Sequence, residues 1–195
     1  MARLRKKKFD ENTVLEKAVN LFWRKGYNAT TAQDMVNELG ISRSSLYDTY
    51  IDKRTIFIKS LKQYEEITTD ILVDMLEKAK NPERAVKKIF QDTIQQSLAD
   101  DLSKGCLMVN TTVELMNSDK EIADIVHNNN QRVEAALTRI IEKGQEKGSF
   151  SKRETAVAFA HFIFGTMRTL RLVARSGADK KTMEDIANVS LSALK

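Results

Sequence analysis

The sequence contains little cysteine, proline or glycine. Among its 195 residues are one cysteine, one proline and seven glycines. A single cysteine excludes an intramolecular disulfide framework and an all-cysteine metal cage, and it fits a reducing compartment. Because turn-forming residues are so few, and no alternating apolar and polar run reaches the length of a strand, we expect an all-α fold.

Motifs of catalysis, metal binding and membrane insertion are also missing. There is no Gly-rich phosphate loop, nucleophile elbow or HExxH motif, and the two histidines, His127 and His161, are far apart in the sequence. We therefore expect no enzyme, no metal site and no cofactor. The longest apolar run, 156–167, has about twelve residues, whereas a membrane-spanning helix needs about twenty. The basic N-terminus lacks the apolar segment of a secretory signal, so a cytoplasmic protein is expected.

Positive charge is concentrated near the N-terminus. The first eight residues include five basic side chains and no acid, namely Arg3, Arg5, Lys6, Lys7 and Lys8. Residues 1–55 contain 11 Lys and Arg against 7 Asp and Glu, so they carry a charge of +4 out of the total of +5. A basic arm on an otherwise nearly neutral molecule predicts binding to the phosphates or the minor groove of a nucleic acid.

The segment 30–53 has the pattern of two short amphipathic helices with a glycine between them. Thr30 or Thr31 can cap the first helix, and Gly40 supplies the left-handed position that ends it. Ser42 can cap the second helix, whose first residues would then face outward. Two short helices joined in this way predict a helix-turn-helix, which places its second helix in the DNA major groove.

Caps and apolar periodicity predict about nine helices in all. A bracing helix capped by Thr13 covers about 13–25, and a long helix runs from its cap Asp52 to the break at Asn81 and Pro82. Further helices are expected at about 82–98 and 106–116. Three more are expected after them: one from the cap Ser118 to about 148, one from the cap Ser151 to about 175, and one from Asp179 onward. We expect a DNA-binding head in residues 1–52 and a helical-bundle domain for ligand binding and dimerisation in residues 53–195.

At these residues the chain resembles the TetR family of bacterial transcriptional regulators. The matching positions are Leu21, Phe22, Gly26, Tyr27, Thr30, Thr31, Asp34, Leu39, Gly40, Ile41, Ser42, Leu46, Tyr47 and Lys53. The resemblance implies a surface for double-stranded operator DNA that consists of Thr31, Gln33, Arg43, Ser44, Ser45, Tyr47 and Lys53. Thr31 and Tyr47 would contact phosphates, and Lys53 would lie against the DNA backbone. Arg43 is the main candidate for specificity, since a guanidinium can donate two hydrogen bonds to a guanine edge.

The apolar run 156–167 predicts a subunit contact. It is apolar on nearly every side, and one subunit can cover only one stripe of it. We therefore expect a homodimer formed through the helices Ala156–Arg175 and 179–194, with complete burial in a monomer as the alternative. The resemblance implies a four-helix bundle there. Two-fold symmetry would separate the recognition helices by about 34–36 Å and make the operator a palindrome.

The resemblance also implies a small-molecule inducer bound among the helices of residues 53–195, which we call the body. The candidate contacts are Ile67, Ile71, Phe90, Ile94, Cys106, Met108, Asn110, Val113, His161, Phe164 and Arg168. The apolar members of this set are more typical of plain core than of a ligand site. Cys106 follows Gly105 beside Lys104 at a predicted helix start, which favours a reactive thiol, although free cysteines more often pack as small buried hydrophobes.

Three functions are compatible with these observations. The preferred one is a homodimeric regulator, a repressor released from a palindromic operator by a small-molecule or reactive-species inducer. The alternatives are a ligand-independent architectural or co-regulatory DNA binder, and a helical-bundle enzyme with a vestigial head. The missing catalytic motifs weigh against the last.

Overall fold

The computed structural model describes residues 10–99 and 104–195, and its regular structure in these residues is entirely helical, as predicted. The basic arm expected at residues 1–8 lies outside the described residues. The α-helices are α1 Glu11–Lys25, α2 Ala32–Leu39, α3 Arg43–Tyr50, α4 Lys53–Glu65, α5 Ile71–Lys78, α6 Pro82–Leu98, α7 Leu107–Leu115, α8 Lys120–Glu146, α9 Ala156–Arg175 and α10 Lys180–Ser192. A π-helical turn, Glu66–Asp70, joins α4 to α5 without a break, so the described residues form nine continuous helices.

Helices α1 to α3 pack around a small apolar core with the first turns of α4. Phe22 of α1 is fully buried against Phe57 of α4, with ring centroids 4.9 Å apart in an edge-to-face arrangement. Leu46 and Tyr50 of α3 are buried in the same core, as the sequence predicted. This core also includes Leu107, Met108 and Leu115 of α7, and Ile122 and Val126 of α8. The head is therefore packed directly on the body, and the division of the chain at residue 52 stays a prediction.

The prediction that Thr13 caps α1 is wrong. The helix begins two residues earlier, because the Asp10 carboxylate accepts the backbone N–H groups of Asn12 and Thr13 at 3.4 and 3.1 Å. The Thr13 hydroxyl itself donates to Asp10. An acid just outside the first turn satisfies the same unpaired donors as a hydroxyl would and also suits the helix dipole.

Two further caps differ from the prediction in the same way. Asp119, not Ser118, caps α8, since its carboxylate accepts the Ile122 N–H at 3.2 Å. Thr155, not Ser151, caps α9, and it accepts the Ala158 N–H at 3.1 Å. Ser151 is held outside the helix because its own N–H donates to the Leu194 carbonyl at 2.8 Å.

The π-helical turn lies within the long helix that was predicted from Asp52 to Asn81, and the chain stays helical through it. Asp52 caps α4 as expected, and its carboxylate accepts the Thr55 N–H at 2.6 Å. Within the turn, the buried Thr69 hydroxyl donates to the Asn129 Oδ1 atom of α8 at 2.7 Å. A π turn contains one residue more than an α-helical turn and is frequent at functional sites. Here it directs a polar side chain toward the interior of the body.

The body core lies where α9 packs against α6, α8 and α10. Ala160, Ile163 and Leu170 of α9 are fully buried in it. By length and composition, α9 is the one helix in the described part of the chain that could also cross a membrane, although nearly half of it is buried in the body, as in the core helix of a globular protein. Its opposite face is open: Val157, Phe162 and Leu172 are exposed.

Candidate DNA-binding surface and ligand cavity

The first helix of the helix-turn-helix is held by a capping box. The Thr31 hydroxyl oxygen accepts the Asp34 N–H at 3.1 Å, and the Asp34 carboxylate accepts the Thr31 N–H at 2.7 Å. Lys25 lies 2.5 Å from the same carboxylate and, with Thr31, holds the pKa of Asp34 well below its usual range. Thr31 is exposed, as a phosphate contact requires, and its hydroxyl also fixes the start of α2.

The second helix, α3, presents the residues that were assigned to the bases. Ser42 caps it, accepting the Ser45 N–H at 3.2 Å, and its hydroxyl also contacts the hydroxyls of Ser44 and Ser45 at 3.0 and 2.9 Å. Arg43 and Ser44 are exposed and Ser45 is half-buried. No hydrogen bond or ion pair engages the Arg43 guanidinium within residues 10–99 and 104–195. That side chain is therefore available to an external partner.

Two further predicted DNA contacts lie on α2 and on α3 itself. Gln33 is exposed on α2, and its amide donates to the Asn37 Oδ1 atom at 2.8 Å. The half-buried Tyr47 packs against the head core.

Lys53 has a different environment from the one expected. It is the first residue of α4, as predicted, but its ammonium donates to the carbonyls of Tyr27 and Thr30, both at 3.0 Å. The same ammonium lies 4.3 Å from the centroid of the Tyr27 ring. The Lys53 ammonium thus links the two ends of the loop between α1 and α2. Two of its three N–H donors are already engaged in these bonds.

The turn between α3 and α4 is strained. Ile51 has φ 65° and ψ −58°, and the Asp52 N–H donates to the Tyr50 carbonyl at 2.6 Å. These values define a classic γ-turn, which is rare and costly for a β-branched residue. The Ile51 side chain is 75% exposed, so burial does little to offset the strain.

Side chains of the body hold the head at three points. The Glu114 carboxylate of α7 accepts the N–H groups of Tyr27 and Asn28 at 2.9 and 2.5 Å. Arg54 forms a bidentate pair with Asp119 at 2.6 and 2.9 Å, which lowers the pKa of Asp119 to about 2.

The third point connects the head with the interior of the body. Trp23 of α1 donates from Nε1 to the Gly105 carbonyl at 3.2 Å, and its ring meets that of Tyr64 edge to face at 5.0 Å. The Tyr64 hydroxyl donates to Cys106 Sγ at 3.6 Å, and burial raises the pKa of Tyr64 well above its usual value. Residues 23, 64, 105 and 106 therefore form a continuous set of contacts, which we call the junction cluster.

A cavity of about 430 Å³ opens beside the junction cluster, between the π-helical turn and helices α4 to α9. Its volume lies in the range that holds a small organic ligand. Of the residues selected from the sequence, the cavity is lined by Ile67, Ile71, Cys106, Met108, Phe164 and Arg168. Ile67 and Ile71 are half exposed or more, which is consistent with a position at its opening.

The other five selected residues do not line this cavity. Phe90 and Ile94 are buried on the face of α6 that meets α10, where they border a second cavity of about 890 Å³ that is more open to solvent. Val113 is 86% exposed on α7, and His161 is exposed on the outer face of α9. Asn110 donates to the Lys104 carbonyl at 2.9 Å and accepts from Arg175 at 2.8 Å, so its polar groups have partners elsewhere.

Sequence reasoning missed most of the polar lining. The additional polar residues are Tyr64, Thr68, Thr69, Lys88, Asp92, Thr93, Gln96, Asn129, Asn130 and Arg171. One signal could have found part of this set. Arg168 and Arg171 are three residues apart on a mostly apolar helix, and that spacing places both on one face.

Two family models match the chain. Residues 14–59 match the bacterial regulatory proteins of the tetR family, and residues 82–189 match the tetracyclin repressor-like C-terminal domain. Together they cover both the head and the body. The chain belongs to the TetR family of bacterial transcriptional regulators, and it is a DNA-binding protein of that class.

Relatives resemble the whole chain. The HTH-type transcriptional regulator YezE of Bacillus subtilis (strain 168) is 30% identical over 191 residues, which are 97% of this chain and 98% of YezE. The HTH-type transcriptional repressor ComR of Escherichia coli (strain K12) is 26% identical over 97% of this chain and 91% of its own. Among solved structures, a cysteine mutant of the TetR family regulator CifR in complex with 26-bp operator DNA has a TM-score of 0.86 at 19% identity, covering 98% of this chain and 100% of that one.

Proposed function

We propose that this protein is a cytoplasmic, homodimeric repressor that binds a palindromic operator and leaves it when a small molecule enters the cavity of about 430 Å³. The observation that supports this most is the junction cluster. Tyr64 and Cys106 line the cavity, and Trp23 of the head contacts Tyr64 and Gly105 directly. A ligand that moves Tyr64 or Cys106 would therefore also shift the position of the head.

In this proposal α3 enters the major groove. The exposed Arg43 reads a base edge, with Ser44 and Ser45 beside it, while Thr31, Gln33 and Tyr47 border the phosphates. Lys53 would act differently from the expectation of a direct phosphate contact. Its ammonium supports the loop between α1 and α2, and it would thereby position Thr31.

The dimer would form through the open face of α9 together with α10. Val157, Phe162 and Leu172 are 47%, 45% and 57% exposed on α9, and Val189 of α10 is 69% exposed. A Cβ atom added at Gly165 on the same face would have no neighbour within 4 Å, so a second helix has room to approach closely. An apolar surface of this kind is typical of a subunit contact.

The oligomeric state can be tested with one charge on this face. We expect Phe162→Asp to shift the protein from dimer to monomer in sedimentation equilibrium and to weaken operator binding strongly, because two linked heads bind far better than one. Val113→Asp is the matched control, since Val113 is an exposed apolar residue on α7. A wild-type protein that sediments as a monomer, or a Phe162→Asp variant that remains a dimer, contradicts this assignment.

DNA binding and release can be measured on the DNA that flanks the gene. We expect salt-sensitive binding to a palindrome, with Arg43→Ala relaxing base preference by about 1–3 kcal/mol in each half-site. Arg24→Ala is the control, since Arg24 is an exposed head residue paired with Glu38 at 3.0 Å. Binding without sequence preference at physiological salt would contradict the regulator. Specific binding that no compound in a broad screen alters would instead favour the ligand-independent co-regulator.

A reactive inducer would reach Cys106 from the same cavity. Under that mode, an oxidant or electrophile releases the wild-type protein from DNA, whereas the Cys106→Ser variant stays bound. Equal release of both proteins would restrict the inducer to reversible binding.

A further inference from the structure

The charged residues around the cavity leave an excess of positive charge. Four charged side chains line it, namely Lys88, Asp92, Arg168 and Arg171. Lys88 and Asp92 neutralise each other one turn apart on α6, with 2.9 Å between Nζ and Oδ1. Two guanidinium groups, both on α9, remain without a counter-charge on the wall.

Neither guanidinium forms a direct ion pair within the described residues, 10–99 and 104–195, and the Glu134 carboxylate of α8 acts on Arg168 only from a longer distance. Arg168 donates to the Asn130 Oδ1 atom at 2.5 Å, and Arg171 donates to the Gln96 Oε1 atom at 3.0 Å. Both partners are neutral amides. Each arginine has five N–H donors, so most of its capacity stays open after one such bond.

Arg168 is the more deeply placed of the two. Its guanidinium carbon lies 4.3 Å from the centroid of the Phe164 ring, and the residue is only partly accessible. Burial lowers the pKa of Arg168 from its usual value, because removal of water disfavours the charged form. A cation in such a setting gains strongly when an anion arrives, since the desolvation of the arginine has already occurred.

The rest of the wall combines ten apolar residues with uncharged polar ones, and most of its exposed surface is apolar. Its apolar residues are Ile67, Ile71, Leu72, Met75, Ile89, Met108, Val109, Val133, Phe164 and Met167. A ligand that matches the whole cavity must therefore place one anionic group at Arg168 and Arg171 and leave an apolar body against these side chains. Guanidinium groups bind carboxylates in a planar, bidentate arrangement.

We propose that the cavity binds a carboxylate with an apolar chain or aryl body, and that Arg168, assisted by Arg171, holds its head group. This proposal rests on the proposed function in taking the cavity as the inducer site. Guanidinium groups also bind phosphates in a bidentate arrangement, so a phosphate monoester is compared directly with the carboxylate in the experiment below.

Four probes of equal chain length and different head group test the proposal on the full-length protein. Decanoate, 1-decanol, decylammonium and decyl phosphate are titrated by calorimetry at neutral pH. We expect decanoate to bind at least about tenfold more tightly than decanol, equivalent to about 1.4 kcal/mol, and decylammonium to bind more weakly than both. Equal or tighter binding of decanol overturns the proposal. A preference for decyl phosphate over decanoate overturns the assignment to carboxylates.

Variants identify the residue that is responsible. In Arg168→Gln we expect the preference of decanoate over decanol to fall to about threefold or less, with decanol affinity kept, and Arg171→Gln to lower it by a smaller factor. Arg139→Gln is the control, since Arg139 pairs with Glu77 on the surface at 2.8 Å. An unchanged preference in both cavity variants overturns the proposal. If either variant fails to fold, the wild-type probe series still decides.

Titrations of the same probes, combined with measurements of DNA affinity, separate this proposal from the proposed function. Arg168-dependent binding of decanoate that leaves DNA affinity unchanged would support the carboxylate site and contradict release by the cavity. Release of DNA by neutral compounds, with no decanoate binding, would support release by the cavity and contradict the carboxylate site.

Discussion

Polar side chains have different roles in the helix-turn-helix of the head and in the cavity wall of the body. In the head, polar side chains satisfy backbone groups a few residues away, as Thr31 does for Asp34 and Ser42 for Ser45. In the body, Arg168 and Asn129 project from separate helices toward a shared interior space. These local hydrogen bonds fix the two helices of the helix-turn-helix, whereas the cavity keeps polar groups that a bound molecule could use. Under the proposed function, the first arrangement suits a DNA-binding surface and the second a ligand site.

The prediction with the largest expected effect tests whether the core of the body, apart from the cavity, is packed as closely as the core of the head. A Cβ atom at Gly144 would lie 2.1 Å from Cδ2 of the buried Phe150 ring. We expect Gly144→Ala to lower the free energy of unfolding by about 3 kcal/mol, measured by urea denaturation. Gly165→Ala, on the open face of α9, should instead stabilise a monomeric background such as Phe162→Asp by up to about 1 kcal/mol. A neutral Gly144→Ala variant would mean that the body is loosely packed throughout.

The second prediction tests whether contacts of Lys53 stabilise the loop between α1 and α2 of the head. We expect Lys53→Met to lower stability by about 2 kcal/mol, because the carbonyls of Tyr27 and Thr30 lose a charged donor. DNA affinity should fall equally for all sequences, while the dependence of affinity on salt stays as in the wild type. A salt slope lower by about one unit would instead assign Lys53 to a phosphate.

The third effect concerns the strain at the end of α3. Ile51 is the one non-glycine residue with positive φ among those described. We expect Ile51→Gly to raise thermal stability by about 1 kcal/mol, because relief of the turn outweighs the entropy of the glycine. Ile51→Ala keeps the strain, and since the side chain is 75% exposed its stability should match the wild type. Equal stability of all three proteins would show that the turn costs nothing.

The smallest effect is at the contact between the two regions. Pairing with Arg54 lowers the pKa of Asp119 from 3.8 to about 2, so this carboxylate contributes stability above about pH 4 and loses it as the pH falls toward 2. The free energy of unfolding of Asp119→Asn should therefore change less than that of the wild type between pH 4 and pH 2. Because Arg54 is 40% exposed, solvent screening keeps the difference small. Asp124→Asn, exposed on the same helix, should retain the wild-type dependence.

The same contrast explains what the sequence could predict. Each signal of the helix-turn-helix lies within about ten residues of its partner, as between Gly40 and the caps on either side, so local pattern was sufficient there, although it failed for the cap of α1 at Thr13. The caps at Ser118 and Ser151 failed because an equally good acceptor stood one or a few residues later, and only a distant contact, such as that of Ser151 with Leu194, decided between them.

The cavity required information that no local pattern contains. Its wall combines residues between 64 and 171 from several helices, and an apolar residue such as Phe90 looks the same in sequence whether it faces the cavity or α10. The π-helical turn also has no periodic signature in the sequence. Polar residues on apolar faces were no better an indicator. Of the three selected on that ground, Arg168 lines the cavity whereas Asn110 and His161 do not, and four of the seven apolar candidates line it.

The π-helical turn Glu66–Asp70 also sets an angle between two halves of one rod. The continuous helix from 53 to 78 is about 40 Å long and runs from the head core to the opening of the cavity. Each residue of an α-helix turns the chain by about 100°, so the extra residue of the π turn changes the azimuth at which α5 meets the body relative to α4. Removing a single residue such as Thr68 would leave both halves helical but bring them into a different rotational phase. One amino acid thus sets the direction in which the cavity wall and the head face each other.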